Sequence, residues 1–317
     1  MDKDKREAIR EALEAFLSQH NMSQNDFAKN ADVNVSYISA IRSEKHESIA
    51  DKWFIRIAAY IGYKIEKSYW ETKPTEQMVR ILATLEEARK FGSTNVIIGE
   101  TGSGKSYVSS LFQKQNPNDV FIIKLGKSDN VGDVLDKTFD ALNIPLKSNM
   151  GMIASGTGQS RSKSLRIRKI IKYLQKLKHD GFNPTVIWDE SEYMNLAALC
   201  AIKEFFDDLS IVAALILIGT DQLEDNLKKM SDSNKPGMPQ FYSRIKFGIR
   251  RLKPINRKFP LFLNSIEDKE VKDFIKANCN NYREVHDVLV PAMREADLTN
   301  MPLSVGLISN VLGLGGY

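Results

Sequence analysis

The sequence predicts a parallel α/β core set between two all-α pieces, and three observations carry that prediction. Residues 99–106 read Gly-Glu-Thr-Gly-Ser-Gly-Lys-Ser directly after the apolar run Asn95–Ile98. That is the order of a buried strand, a glycine turn and a helix start. From residue 94 to residue 251, apolar runs of strand length alternate with stretches of helical periodicity, the pattern of a parallel sheet with crossover helices. On either side, over residues 5–62 and from 257 onward, helical spacing recurs without strand signals.

Each element follows in order. Ile9, Leu13, Phe16 and Leu17 share one helical face. Ser23 is placed as an N-cap, with Asp26 three residues on in the capping-box position and Phe27 and Ala28 opening the next apolar face. A break at Asn30–Asn34 precedes a helix over Val35–Arg42, and Phe54, Ile57, Ala58 and Ile61 mark another over Trp53–Ile61. Residues 1–65 are thus expected as a small helical domain. Residues 66–76, polar and carrying Pro74, are expected as a linker. After a helix at Glu76–Phe91, strands are expected at Asn95–Ile98, Val120–Leu125, Thr185–Trp188, Val212–Ile218 and Lys246–Arg250. Helices near Val131–Leu142, Ser164–Lys178, Ala197–Leu209 and Gln222–Met230 lie between them, and a Gly/Ser/Thr-rich loop, Ser148–Ser164, enters the second of these. The core is expected over 77–255. A helical end piece over 256–317 carries periodic stretches at Lys269–Ala277, Tyr282–Glu295 and Ser304–Leu312. No internal repeat is present.

The 317 residues carry a formal net charge of +5, and its distribution matters more than its total. Residues 1–75 hold 12 Lys/Arg against 12 Asp/Glu, whereas Leu146–Asp180 holds nine positives and one acid. Arg244–Lys258 adds seven positives and no acid. Two basic blocks on a neutral background point to a polyanion partner. Arg161, Lys163, Arg166, Lys169 and Lys172 are the expected phosphate contacts on duplex DNA, with Ile167, Ile170, Ile171 and Leu174 as the buried face of the same helix. Cys200 and Cys279 are far apart in the sequence and have no metal-type spacing, so buried reduced thiols are expected. The longest apolar run, Ile211–Ile218, is too short to span a bilayer, and Met1-Asp2-Lys3-Asp4 is no secretory leader. A cytoplasmic protein without membrane partner is expected.

The chemistry concentrates in two motifs. Residues 99–106 fit Gly-x-x-x-x-Gly-Lys-Ser/Thr without mismatch. Gly99, Glu100, Thr101, Gly102, Ser103 and Gly104 form a loop whose backbone amides can face phosphate. Lys105 reaches the β- and γ-phosphates, Ser106 offers a hydroxyl to Mg²⁺, and Tyr107 follows on the helix. Thr185-Val186-Ile187-Trp188-Asp189-Glu190 is an apolar strand ending in two acids. Asp189 is suited to hold Mg²⁺ and Glu190 to polarise an attacking water. ATP and Mg²⁺ are the expected cofactors, and ATP hydrolysis is the expected activity.

The acid pair, the later strand ending at Gly219-Thr220 and the all-α end piece resemble the AAA+ ATPase family. The resemblance implies that Thr220 positions the water, where Asn is the more usual residue. It implies that Arg244, in Phe241-Tyr242-Ser243-Arg244-Ile245, is an arginine finger acting on a neighbouring subunit, with Arg250 and Arg251 as the other candidates. Arg283, in Asn281-Tyr282-Arg283-Glu284-Val285, is then the sensor that contacts the γ-phosphate in cis. Residues 23–46 resemble a repressor-type helix-turn-helix, through Gln24, Phe27-Ala28, Val33, Ser36-Tyr37-Ile38-Ser39 and Ile41. Its second helix would offer Asn34, Ser36, Tyr37, Ser39 and Arg42 to a groove, although a neutral unit suits a protein partner as well as DNA. The domain order resembles the phage Mu B group of transposition ATPases and, more distantly, the TnsC, TniB and IstB groups. That resemblance implies an ATPase that assembles non-specifically on duplex DNA as a helical filament or ring, delivers target DNA to a transposase and is stimulated by it. Replication-initiator or helicase-loader ATPases and ATP-switched helix-turn-helix regulators are the alternative classes.

Overall fold

The computed structural model describes residues 3–43, 48–63, 69–144 and 162–314, and the chain divides into two units, Met1–Tyr69 and Trp70–Tyr317.

The first unit holds α1 (Lys3–Gln19), α2 (Gln24–Ala31), α3 (Val35–Arg42) and α4 (Asp51–Tyr60). Ile9, Leu13, Phe27, Ile38, Ile41, Phe54 and Ile57 are fully buried in its core. Ser23 caps α2 as its sequence position predicts. Its Oγ accepts the Asp26 amide at 3.2 Å and donates to the Asp26 carboxylate at 2.6 Å. Asp32 ends α2 in the left-handed region, φ 53°, which a short polar side chain tolerates. The polar residues of α3 are largely engaged inside the unit. The Asn34 side chain caps α3, Tyr37 packs on Trp53, and Arg42 is held by Glu14 at 2.6 and 3.0 Å and by Gln24 at 3.2 Å.

In the second unit, α5 (Glu76–Phe91) leads into β1 (Thr94–Ile98), α6 (Lys105–Gln115), β2 (Val120–Lys124), α7 (Val131–Ala141), α8 (Lys163–His179) and β3 (Thr185–Asp189). Then come α9 (Leu196–Leu209), β4 (Ala214–Gly219), α10 (Asp221–Asp232), α11 (Met238–Ile245) and β5 (Ile249–Arg251). The end piece is α12 (Pro260–Leu263), α13 (Lys269–Asn278), α14 (Tyr282–Thr299) and α15 (Val305–Val311). The five strands run parallel in the order β2-β3-β4-β1-β5. Every residue of β3 and β4 is buried, as expected where helices cover both faces of a parallel sheet. Trp188 anchors one face, and its Nε1 donates to Thr138 Oγ1 on α7 at 3.1 Å. Ile97, Ile187, Ile216 and Ile218 point into the cluster on the other face with Phe112.

The register fixes where chemistry can occur. Ile98 pairs with Gly219, and Lys124 with Asp189. The residues that follow β1, β3 and β4 therefore emerge together at the carboxyl edge of the sheet, where open α/β sheets bind ligands.

Three local differences from the sequence expectation have physical causes. The last strand begins at Ile249 rather than Lys246, because Lys246–Gly248 forms a 3₁₀ turn. A Cβ on Gly248 would lie 2.6 Å from the Thr94 carbonyl, so that turn is pressed against β1. An additional helix, α11, starts behind Gly237 (φ 79°) with Pro in its first turn, a favourable start that breaks the apolar pattern before it. Residues 70–75, expected within the linker, belong to the second unit: Trp70 stacks on Phe262 at 4.7 Å and meets His286 edge-on at 5.0 Å. The loop expected before α8 lies largely outside the described residues. Cys279 is buried as expected. Cys200 is only half-buried, its Sγ 3.5 Å from the Pro236 carbonyl. Among the described residues no helix is long and apolar enough to cross a membrane.

Candidate functional site

The turn between β1 and α6 is a cradle shaped by glycine. Gly102 and Gly104 lie at φ 72° and 89°, a region that side-chain-bearing residues rarely adopt. A Cβ on Gly102 would also strike the Asn281 side chain, whereas the space at Gly104 is open. Gly104 caps α6 with no side chain, so the first amides of that helix remain available to an anion. The Lys105 ammonium folds back and donates to the Gly99 and Glu100 carbonyls at 2.7 and 2.8 Å. Burial pulls its pKa below the usual lysine range. Asp189 and Glu192 oppose that shift, and Arg283 adds to it.

The acid pair closes the other side. Ser106 Oγ donates to Asp189 Oδ2 at 2.5 Å, which joins the phosphate loop to the end of β3. Glu190 takes the left-handed region at φ 58°, donates its amide to Asp189 Oδ1 at 2.9 Å, and lies 3.5 Å from the Lys124 ammonium. Thr220 follows β4 and donates its hydroxyl to Glu192 Oε1 at 3.1 Å. These residues wall a cavity of about 400 Å³ that also takes in Thr101, Ser103, Tyr107 and Arg283. Its far end is aromatic, with Trp70, Phe262, Tyr282 and His286.

The expected residues therefore divide. Thr101 through Tyr107, Asp189, Glu190, Thr220 and Arg283 line one cavity. Gly99 and Glu100 support it from behind through the Lys105 ammonium, and the Glu100 carboxylate pairs with Arg257 at 3.2 Å. Tyr107 also bonds Thr72 through its hydroxyl. Arg244 stands outside the cavity at the end of α11, ion-paired with Asp207, its guanidinium over the Phe206 ring at 5.6 Å. Arg250 donates to the Phe247 carbonyl at 2.7 Å, and Arg251 pairs with Glu224 at 2.7 Å.

On α8, Lys163 and Lys172 are exposed, Lys169 is half-buried, and Arg161 lies outside the described residues. Arg166 does not belong with the DNA contacts. It is buried, ion-paired with Asp136 and bonded to the Gly132 carbonyl at 3.2 Å, so it ties α8 to α7. Arg168, absent from the expected set, is exposed on the same side as Lys172 and Lys176. Sequence reasoning also passed over Glu192, Lys124 and the pocket wall at Trp70, Thr72 and Thr75. The available signal for Glu192 was a third acid two residues past the acid pair.

A phosphate-bearing ligand with Mg²⁺ fits this cradle. Ser103 is buried and its hydroxyl has no partner among the described residues, so it has a proton to offer a phosphate oxygen. The Ser106 hydroxyl and the Asp189 carboxylate are the oxygen donors a hard cation takes.

Residues 92–227 match the family model described as AAA domain. The five-stranded parallel sheet, the phosphate loop and the acid pair agree with that match, and the chain has the fold of an AAA-type P-loop core. Its fold is similar to the ORC2 protein of Aeropyrum pernix, solved as ADPNP–ADP complexes: 15% identity, TM-score 0.50, covering 75% of this chain and 66% of that one. It is also similar to Cdc6p from Pyrobaculum aerophilum, with 12% identity, TM-score 0.51, and 77% and 68% of the two chains covered. The Thermotoga maritima RuvB Holliday junction branch migration motor is 13% identical over 76% of this chain and 69% of that one, with a TM-score of 0.42. The chain spans about two thirds of the length of the first two structures. No curated protein matches its sequence.

Proposed function

We propose that this chain is a Mg²⁺-dependent ATPase that assembles on duplex DNA without sequence preference and hands target DNA to a transposase. The observation that carries the hydrolytic part is the joining of Ser106 to Asp189 at 2.5 Å, with Glu190 next to it at the cavity wall. Ser106 and Asp189 would hold Mg²⁺, which supplies charge neutralisation on the β- and γ-phosphates when bound. Lys105 leaves its two carbonyl partners for the phosphate oxygens. Water attacks the γ-phosphorus, Glu190 accepts its proton, and the bond to the bridging oxygen breaks with its electron pair left on ADP. Arg283 supports the γ-phosphate in cis, and Arg244 does so from a neighbouring subunit. The aromatic end at Trp70, Phe262 and Tyr282 takes the base.

The DNA part rests on the exposed cations of α8, Lys163, Arg168 and Lys172, which suit phosphate contact without base reading. The neutral first unit, with Arg42 already paired to Glu14, suits a protein partner better than a groove. A replication-initiator role is the second reading, favoured by the fold likeness to ORC2 and Cdc6p. Preference for one DNA sequence in competition binding separates it from the first. The hydrolytic part is tested with Lys105→Ala and Glu190→Gln. The first should lose nucleotide affinity and turnover together. The second should bind ATP as the parent does and lose most turnover, and normal steady-state hydrolysis by it would overturn the assignment.

A further inference from the structure

Thr220 is the N-cap residue of α10, yet its side chain makes no capping bond. A hydroxyl at that position ordinarily stabilises the helix start by accepting one of its free amides. Thr220 instead donates its only proton sideways to Glu192 Oε1 at 3.1 Å. Glu192 is itself held for this contact. It sits in the 3₁₀ turn Ser191–Tyr193, its own carbonyl accepts from Asn226 at 3.4 Å, and Ser191 Oγ anchors the turn to the Trp188 carbonyl at 2.7 Å. The end of β4 leaves room for it. A Cβ on Gly219 would lie 2.7 Å from Glu192 Oε2 and 2.9 Å from Leu223 Cβ, and Gly219 is glycine at a backbone angle that does not itself demand one. Oε2 is buried and has no partner among the described residues.

Resting on the ATPase reading above, we propose that Glu192 is a positioning residue that fixes the polarity of the Thr220 hydroxyl. A hydroxyl has one proton and two lone pairs. With the proton committed to Glu192, Thr220 Oγ1 faces the cavity as an acceptor only. An attacking water then gives one hydrogen to Glu190, which takes it as the base, and the other to Thr220, so its lone pair is turned to the γ-phosphorus. Without Glu192 the hydroxyl is free to rotate and donate, to phosphate or to the water's lone pair, and the water loses its second acceptor. Glu192 acts through Thr220 and transfers no proton. Asparagine at 220 would present a fixed carbonyl acceptor and would not need the carboxylate.

The test is steady-state ATP turnover, binding of a fluorescent ATP analogue and thermal melting, measured on the full chain. The variants are Glu192→Leu, which has no acceptor for the Thr220 proton, Thr220→Val, their double, Thr220→Asn and Thr220→Asn with Glu192→Leu. Glu192→Leu and Thr220→Val should each lower kcat by about 10- to 100-fold, the range for partners that orient a reacting group, with unchanged analogue affinity. Because they remove one device, the double should be no slower than the slower single. In the Thr220→Asn background, Glu192→Leu should cost little. Parent-like kcat for Glu192→Leu, or multiplying losses in the double, would overturn the proposal. If Glu192→Leu melts early, the comparison of Thr220→Val with the Thr220→Asn pair decides. An unmutated chain without turnover, or Glu190→Gln at full rate, would instead overturn the ATPase reading, so the two failures are distinct.

Discussion

Arg166 offers a sharp separation of packing from binding. Its side chain is 11% exposed and pairs with Asp136, whose side chain is 32% exposed. Removing one partner of a fully buried pair costs about 3–5 kcal/mol because a charge is stranded. Asp136 is a third exposed, so water recovers part of that loss, and about 2 kcal/mol is expected for Arg166→Ala. For a unit the size of Trp70–Tyr317, that corresponds to a fall in Tm of about 4–8 °C. Asp136→Ala should not add its full cost in the double variant, since both remove the same ion pair. Affinity for random duplex DNA, followed by anisotropy across a salt series, gives the other half. Removing one cation that neutralises a phosphate flattens the log–log slope by about 0.9. Arg166→Ala should leave the slope in place, and Arg168→Ala and Lys172→Ala should each reduce it by about that amount while melting normally. An Arg166→Ala protein that melts as the parent does and loses a unit of slope would refute the buried tie.

Three further outcomes are expected. Thr138→Val strands the Trp188 indole N–H, which now donates at 3.1 Å, and should cost about 1–3 kcal/mol in a denaturant titration. Burial holds the Lys105 pKa below 10.5 in the free protein, while phosphate favours its charged form. ATP affinity should therefore decline from a pH below the ordinary lysine range, and the free protein should gain stability over that same window because the unfolded chain keeps the proton longer. A flat affinity profile over roughly pH 8 to 11 would contradict this. Arg244→Ala should cut turnover on the order of 10³-fold, and mixing it with Glu190→Gln subunits should restore part of the activity; no recovery at any ratio would argue against action in trans.

What the sequence revealed and what it hid divide along the range of the interactions. The phosphate loop and the Asp189-Glu190 pair are short local patterns set by strand ends, and the structure brings both to one cavity. The face of Arg166 is a longer-range matter. It lies at the margin of the stripe formed by Ile167, Ile170, Ile171 and Leu174, and its partner stands 30 residues earlier on another helix. A tally of charges cannot distinguish such a residue from its exposed neighbour Arg168. Residues 70–75 look like a linker because they are polar and contain Pro74. Their place in the second unit comes from Phe262 and His286, which adjoin Trp70 only in three dimensions. Glu192 was hidden for another reason: its meaning depends on the missing Cβ of Gly219 and the uncapped hydroxyl of Thr220, not on its own sequence context.

The three tryptophans fall in three separate settings. Trp53 packs on Tyr37 in the first unit, Trp70 lies at the aromatic end of the cavity, and Trp188 is fully buried in the sheet. The molecule thus carries its own optical reporters. Kept one at a time with the other two changed to phenylalanine, they would resolve loosening of the helical unit, arrival of a base and melting of the core as three distinct fluorescence signals from an unlabelled chain.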